Sequence, residues 1–156
     1  MLGGGVTFGA LALARLGLRT GVVLGVDREA ATARELDLIR GAGAEIVEGN
    51  LDDVESLERA FAGAHGAFCL TNFWETFSPQ GEKNQARNMA EAAKSAGVKH
   101  VIWSTLEDTR KWVPIDDDRM PTLMDNYKVP HFDAKGEADR IFKELGVAHD
   151  HRGLIA

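Results

Sequence analysis

What most constrains this chain is an alternation: apolar runs of four to six residues, each followed by a stretch with helical spacing. Runs without in-out alternation are strands covered on both faces. Strand, helix, strand in repetition is the pattern of a parallel sheet with crossover helices, so the class is α/β. Four strands are predicted, at Gly21–Val26 (GVVLGV), Ala44–Val47 (AEIV), Ala67–Thr71 (AFCLT) and His100–Ser104 (HVIWS), with a weaker fifth at Val147–His149.

The intervening segments carry helix punctuation. Ser78 as N-cap, Pro79 at the first helical position and Gly97 as a stop predict a helix near 79–96. Asp52 with Glu55 resembles a capping box, after which Val54, Leu57 and Phe61 share a face. Ala134, Ala138, Ile141, Phe142 and Leu145 form the apolar stripe of a last helix that ends at Gly146. From Thr105 to His131 no period holds, and three consecutive aspartates (Asp116, Asp117, Asp118) with Pro114, Pro121 and Pro130 predict a long connection, expected to be mobile and to face a partner or substrate. Within it Trp112 is either docked on the domain or an exposed contact residue, and docking is expected.

A chain of 156 residues is expected to form one domain, residues 1–156, without a separate substrate domain. Its net charge of −6 disfavours a phosphate-backbone partner, so nucleic acid is not expected. The apolar runs fall well short of a bilayer span of roughly 20 residues, and the first residues lack a basic-then-apolar leader. Cys69 is the single cysteine, inside an apolar strand, where an inert thiol and a reducing compartment are expected; the cytoplasm is the predicted location. His149, Asp150 and His151 lack the spacing of a metal site, and no metal is expected.

The chemistry begins with Gly3-Gly4-Gly5-Val6-Thr7-Phe8-Gly9, a glycine cluster opening a helix-compatible segment. Glycines let the backbone approach a pyrophosphate, and the N–H groups of the following helix attract the anion, so Gly3, Gly5, Thr7, Phe8 and Gly9 are candidate dinucleotide contacts. Only Met1 and Leu2 precede the cluster, where a strand should lead in, so a glycine-rich terminus without a ligand explains it equally well. In a doubly wound fold the ligand lies at the strand ends, where this chain carries polar residues. Asp27 can accept from a ribose hydroxyl and Arg28 can pair with a 2′-phosphate, or Asp27 caps the next helix. Asn50 and Leu51 follow the second strand, beside an adenine edge or simply leading into a helix. Thr71, Asn72, Phe73 and Trp74 follow the third, where aromatic rings beside an amide suit a flat cofactor, or pack as core.

Three segments in order, GAEIVEGNLDDVESLERAFAGAHGAFCLTNFWE, AGVKHVIWSTLEDTRKW and VPHFDAKGE, resemble the NmrA-like family of atypical short-chain dehydrogenases/reductases over about Gly43 to Gly146. The resemblance implies a three-layer Rossmann-like doubly wound parallel sheet in the order 3-2-(1)-4-5, with the first strand weak or missing here. It implies NADP bound at the strand ends, with NAD as the other dinucleotide, and often a redox-sensing regulatory role. The family opens with a full strand and a GxxGxxG loop, where this chain has Val6 between Gly3 and Gly9. The family often carries Thr-Arg-Asp after its second strand, where this chain has Val26-Asp27-Arg28. HDHRGLIA does not resemble the family's continuation, so the chain is expected to be truncated at both ends relative to it.

Short-chain reductases use a Tyr-x-x-x-Lys pair, in which the lysine lowers the tyrosine pKa so that the phenol passes a proton to the carbonyl. Here Lys135 matches the lysine and His131 stands at the tyrosine position, while Tyr127 is out of register. Ser104, at a strand end, matches the superfamily serine. The candidate catalytic residues are therefore Lys135, His131 and Ser104, with Lys135 also a cofactor contact. Without the tyrosine, the expected function is NADP(H)-linked regulation through a protein partner or a homo-oligomer; turnover as an NAD(P)H-dependent oxidoreductase using Lys135 and a non-binding interaction domain are the alternatives.

Overall fold

The computed structural model describes residues 43–147, together with Asp37, Arg40, Gly41 and the backbone of His149 and Asp150. The elements are helix α1 (Val54–Phe61), strand β1 (Gly66–Cys69), the short helix α2 (Phe73–Thr76), helix α3 (Pro79–Ser95), strand β2 (His100–Trp103), a 3-10 turn at Thr109–Lys111, helix α4 (Pro130–Glu144) and strand β3 (His149–Asp150). The sheet is parallel in the order β1-β2-β3, with Ala67 beside Val101 and Cys69 beside Trp103. Right-handed crossovers that step in one direction across a sheet leave their helices on one face, and α1 packs on α3 and α3 on α4 accordingly. The second helix layer expected from the sequence falls on the glycine-led segment and the residues after Gly21–Val26, and Gly21–Val26 itself lies outside the described residues.

The core lies between the sheet and this helix layer. Ala67, Cys69, Val101 and Trp103 point toward it, against Leu57, Phe61, Ala86, Met89, Ala90, Ala93, Ala138 and Phe142. Trp103 stacks on Phe142 with ring centroids 5.0 Å apart. Burial pushes the Cys69 thiol up to about 12, as expected of an inert cysteine.

The helix punctuation reads through. Ser78 Oγ accepts from the Gly81 amide at 3.1 Å, Pro79 opens α3, and Gly97 ends it with φ of 71°. The α4 stripe is buried as expected, and Gly146 follows it in the left-handed region. Gly136 lies mid-helix, at a propensity cost of about 1 kcal/mol relative to alanine. A Cβ there would stand 2.8 Å from the Asp108 amide nitrogen and 3.1 Å from the Leu106 carbonyl oxygen. The segment leaving β2 therefore lies directly on α4.

Three expectations need correction. Ala44–Val47 forms no strand, and Val47 is 41% exposed. A strand exists through its ladder partner; the described sheet bonds nothing to this segment, and its neighbour in the 3-2-(1)-4-5 order is Gly21–Val26, outside the described residues. The N-cap of α1 is Asp53, whose carboxylate accepts from Ser56 N at 3.2 Å, not Asp52, whose side chain instead accepts from Gln85 Nε2 at 3.3 Å. The weak fifth strand is real but shifted by two residues, to His149–Asp150.

Candidate functional site

The carboxyl ends of β1 and β2 are closed by one amine. Lys135, on the first turns of α4, places Nζ 3.0 Å from the Thr71 carbonyl, 3.1 Å from Thr71 Oγ1, 3.3 Å from the Ser104 carbonyl and 3.3 Å from Glu82 Oε1. An ammonium has three N–H donors, so these four oxygens engage all of them inside the fold. The amine also stands 5.0 Å from the centre of the Trp103 ring. Burial lowers the Lys135 pKa below its ordinary value, and the Glu82 carboxylate opposes that shift. The Thr71 hydroxyl donates to Glu82 Oε1, and Glu82 Oε2 is buried without a hydrogen-bond partner among the described residues.

Glu82 is the residue the sequence reading missed. Its signal is in the sequence: Glu82, Ala86, Met89, Ala90 and Ala93 follow i, i+4, i+7, i+8, i+11, a carboxylate in an otherwise apolar helical stripe, and all five are buried. Burying a carboxyl without partners is costly. Here Lys135 and Thr71 supply them.

Just outside this clip lie rings. Asn72 precedes α2 with its amide donating to Glu75 Oε1 at 3.0 Å. Phe73 is buried, whereas Trp74 and Phe77 are 58% and 60% exposed, so the aromatic pair read from the sequence divides into one core residue and one surface residue. His131 is half-buried, one turn before Lys135, with its ring centroid 5.0 Å from that of Trp74 and 5.9 Å from that of Phe73. Burial lowers the His131 pKa against the pull of Glu82 and Asp133, which favours the neutral imidazole.

Thus Thr71, Ser104 and Lys135 meet in one cluster, with Asn72, Phe73 and His131 at its rim. Asn50 sits apart and exposed, its Oδ1 accepting from the Asp52 amide at 2.9 Å. The Leu51 side chain belongs to the core, and its carbonyl accepts from Asn88 Nδ2 at 2.8 Å. Gly3, Gly5, Thr7, Phe8, Gly9, Asp27 and Arg28 lie outside the described residues. Among the described residues no cluster of ligating side chains suits a metal ion, and no helix is long and apolar enough to cross a membrane.

The connection from Ser104 to α4 is tied at both ends. The Asp133 carboxylate, fully buried, accepts from Thr109 N at 2.7 Å, Thr109 Oγ1 at 2.6 Å, Lys128 N at 2.8 Å and Val129 N at 3.0 Å. Lys128, 2% exposed, donates to the carbonyls of Asp117 and Met120, both at 2.7 Å. Trp112, expected to dock, is 61% exposed. The reason is local: Asp108, Thr109 and Arg110 supply the anchoring contacts, and Trp112 closes the 3-10 turn on its solvent side. A polar groove of about 540 Å³ between α3 and α4 is lined by Lys83, Arg87, Arg110, Glu137 and Arg140 among others. Its central charges are paired, Lys83 to Glu137 at 2.7 Å and Arg110 to Glu137 at 2.6 Å, and none of the expected site residues line it.

A parallel α/β sheet whose polar residues gather at the strand ends defines a class that binds ligands in that crevice. The NmrA-like family model matches residues 12–150, and the chain belongs to that family. Over 64 residues it is 36% identical to a (4-alkanoyl-5-oxo-2,5-dihydrofuran-3-yl)methyl phosphate reductase of Streptomyces griseus, covering 41% of this chain and 20% of that protein. Over 79 residues it is 33% identical to the NmrA-like family domain-containing oxidoreductase himF of Aspergillus japonicus, covering 48% and 24%. Among solved structures it is similar to Nmra, a negative transcriptional regulator, with a TM-score of 0.69 at 20% identity over 94% of this chain and 41% of that one. It is also similar to the Citrobacter sp. triphenylmethane reductase complexed with NADP(H), with a TM-score of 0.60 at 16% identity over 93% and 44%. These likenesses establish the Rossmann-like fold, and the chain spans less than half the length of the proteins it matches.

Proposed function

We propose that this chain is an NADP(H)-binding domain of the NmrA-like family with a regulatory, redox-sensing role in the cytoplasm, acting through a protein partner or a second copy. Residues 1–156 form the single dinucleotide-binding domain. The observation that carries this reading is the Lys135 amine, whose donors are spent on Thr71, Ser104 and Glu82 while His131 replaces the tyrosine it would activate. A lysine so engaged shapes the strand-end crevice; it does not stand ready to move a proton. NADP(H) bound to Nmra itself and to the Citrobacter reductase supports the choice of cofactor.

The described strand ends fit the nicotinamide half of the dinucleotide. They offer the exposed Asn72 side chain and the Thr71 and Ser104 strand ends, which the Lys135 amine holds in place from within the fold. Asn50 would flank the adenosine, with Gly3, Gly5, Thr7, Phe8 and Gly9 at the pyrophosphate and Asp27 and Arg28 at the adenosine ribose. When bound, the nicotinamide supplies a hydride donor or acceptor.

Calorimetric titration with NADP+ and with NAD+ tests the reading. NADP+ binding the tighter of the two is expected, and Arg28→Ala is expected to weaken NADP+ alone, by about 1.5–3 kcal/mol. No heat with either dinucleotide would leave an interaction domain without cofactor. Steady NADPH oxidation with carbonyl or quinone acceptors, abolished in Lys135→Ala, would replace the regulatory reading with the oxidoreductase one.

A further inference from the structure

We propose that Glu82 is a positioning residue of the strand-end crevice: acting through the Lys135 amine, it holds Thr71 and Ser104, at the ends of β1 and β2, in the arrangement the dinucleotide meets. The inference rests on the reading of that crevice as the dinucleotide site and names the side chain that builds it from behind.

The ladder between the two strands stops short of the crevice. Its last pair is Cys69 beside Trp103, after which the Ser104 amide donates to the Cys69 carbonyl at 2.9 Å. Past that bond the Thr71 and Ser104 carbonyls are joined by one ammonium, Lys135 Nζ, at 3.0 Å and 3.3 Å. Glu82 stands behind it. Its Oε1 lies 3.3 Å from Nζ and accepts from the Thr71 hydroxyl, so one oxygen touches the end of β1 directly and the end of β2 through the lysine. The carboxylate comes from α3 and the ammonium from α4, and the floor of the crevice thereby ties four elements together.

Stability alone does not account for this pair. Glu82 and Lys135 are 1% and 7% exposed, and the rest of the Glu82 stripe is apolar. A buried ion pair is often no more stabilising than apolar side chains of similar volume. The first turn of α3 favours an anion through the helix dipole, yet Glu82 Oε2 still lacks a hydrogen-bond partner among the described residues. The pair lies where the strands end, which is where a doubly wound fold binds its ligand.

Glu82 controls the proton on the amine. An ammonium has three donors; losing the proton removes one of them together with the charge, and the two carbonyls are then held less firmly. Burial lowers the Lys135 pKa, and Glu82 opposes that shift. Without the carboxylate, burial acts unopposed. The hold is complete at low pH and is lost as pH rises through the Lys135 pKa, which comes earlier when Glu82 is gone. His131, one turn earlier on α4, feels both charges, but burial lowers its pKa and it is neutral above about pH 7. Asp133, also on α4, is engaged by four donors of the connection. The strands face the amine with Thr71, Ser104 and Trp103.

The Trp103 ring, centred 5.0 Å from Nζ, reads the proton without any cofactor. The test follows the Trp103 indole N–H resonance against pH, assigned with Trp103→Phe, and measures NADP+ affinity calorimetrically at pH 7 and pH 9. In Glu82→Gln the indole midpoint is expected to fall by about one pH unit or more. NADP+ affinity in that variant should drop about tenfold or more between the two pH values, against less than about threefold in the parent chain. Glu82→Asp, whose carboxylate reaches one methylene less far, should place its midpoint between the two, and it carries the test if Glu82→Gln does not fold. An unchanged midpoint in whichever variant folds, or an NADP+ loss equal at both pH values, would make Glu82 a packing residue and overturn the inference. A midpoint that moves in a chain binding no NADP+ at either pH would retain Glu82 as the partner that sets Lys135 and overturn the dinucleotide reading instead.

Discussion

The connection from Thr105 to Val129 and the lip from Asn72 to Phe77 flank the same crevice and are built in opposite ways. The connection has few buried apolar side chains, yet its ends are held by two buried charged residues: Asp133 accepts from four donors, and Lys128 donates to two carbonyls and to Thr122 Oγ1 at 3.2 Å. The lip has aromatic rings in contact and leaves two of them in solvent. Buried polar groups fix a segment by direction, because each donor accepts one geometry and orphaning it costs free energy. Exposed rings fix little and remain available to a ligand. The comparison therefore assigns anchoring to the connection and leaves the rings of the lip in solvent.

The strongest way to break it is Asp133→Ala, which orphans three amides and a hydroxyl at once. A loss on the order of 3 kcal/mol or more is expected in urea unfolding. A loss under about 1 kcal/mol would mean that the connection is held by something else. Lys128→Met keeps much of the apolar stem and removes the amine, and about 2 kcal/mol should go. Its distinguishing sign is faster amide exchange between Asp117 and Thr122 while α3 is unaffected.

Acid acts on the same anchor more gently. The Arg110 guanidinium, bonded to Asp108 at 2.8 Å, lowers the Asp108 pKa below its ordinary value, and the same arginine reaches Glu137 at 2.6 Å. A carboxylate whose folded pKa is depressed adds stability above its unfolded pKa, near 4, and loses it as pH falls through the folded value. Stability should therefore fall as pH drops below about 4 by less in Arg110→Gln than in the parent chain, as thermal melts at acid pH would show. The smallest expected effect is at the lip. Phe77→Gly trades an exposed ring for relief of a left-handed backbone worth about 1 kcal/mol, so stability should be unchanged or slightly higher. A clear loss would make Phe77 a structural residue and blur the contrast between the two regions.

What could be read from sequence follows the same division. Helices α3 and α4 announced themselves through Ser78-Pro79, Gly97 and the Ala134-to-Leu145 stripe because local caps and apolar periodicity decide them. Strands β1 and β2 were legible as apolar runs. Ala44–Val47 carries the same signal without a described partner, since a strand depends on a neighbour that its own residues do not specify. The cluster of Thr71, Ser104 and Lys135 was legible as strand-end chemistry, but the direction of the Lys135 amine was not. That direction is set by Glu82, a residue 53 positions away whose charge in an apolar stripe acquires meaning only once α3 and α4 pack. Asp133 and Lys128 were silent for a similar reason: a charged residue reads as surface until its partners are known.

Amide hydrogen exchange with and without NADP+ tests the account most directly, because one experiment reads anchor, lip and cofactor together. The account predicts that the amides of Thr109, Lys128 and Val129 are protected in the free chain and unchanged by NADP+, whereas the amides of Asn72 to Phe77 exchange readily and slow when NADP+ is added. Rapid exchange at Thr109, Lys128 and Val129, or a lip indifferent to NADP+, would contradict it.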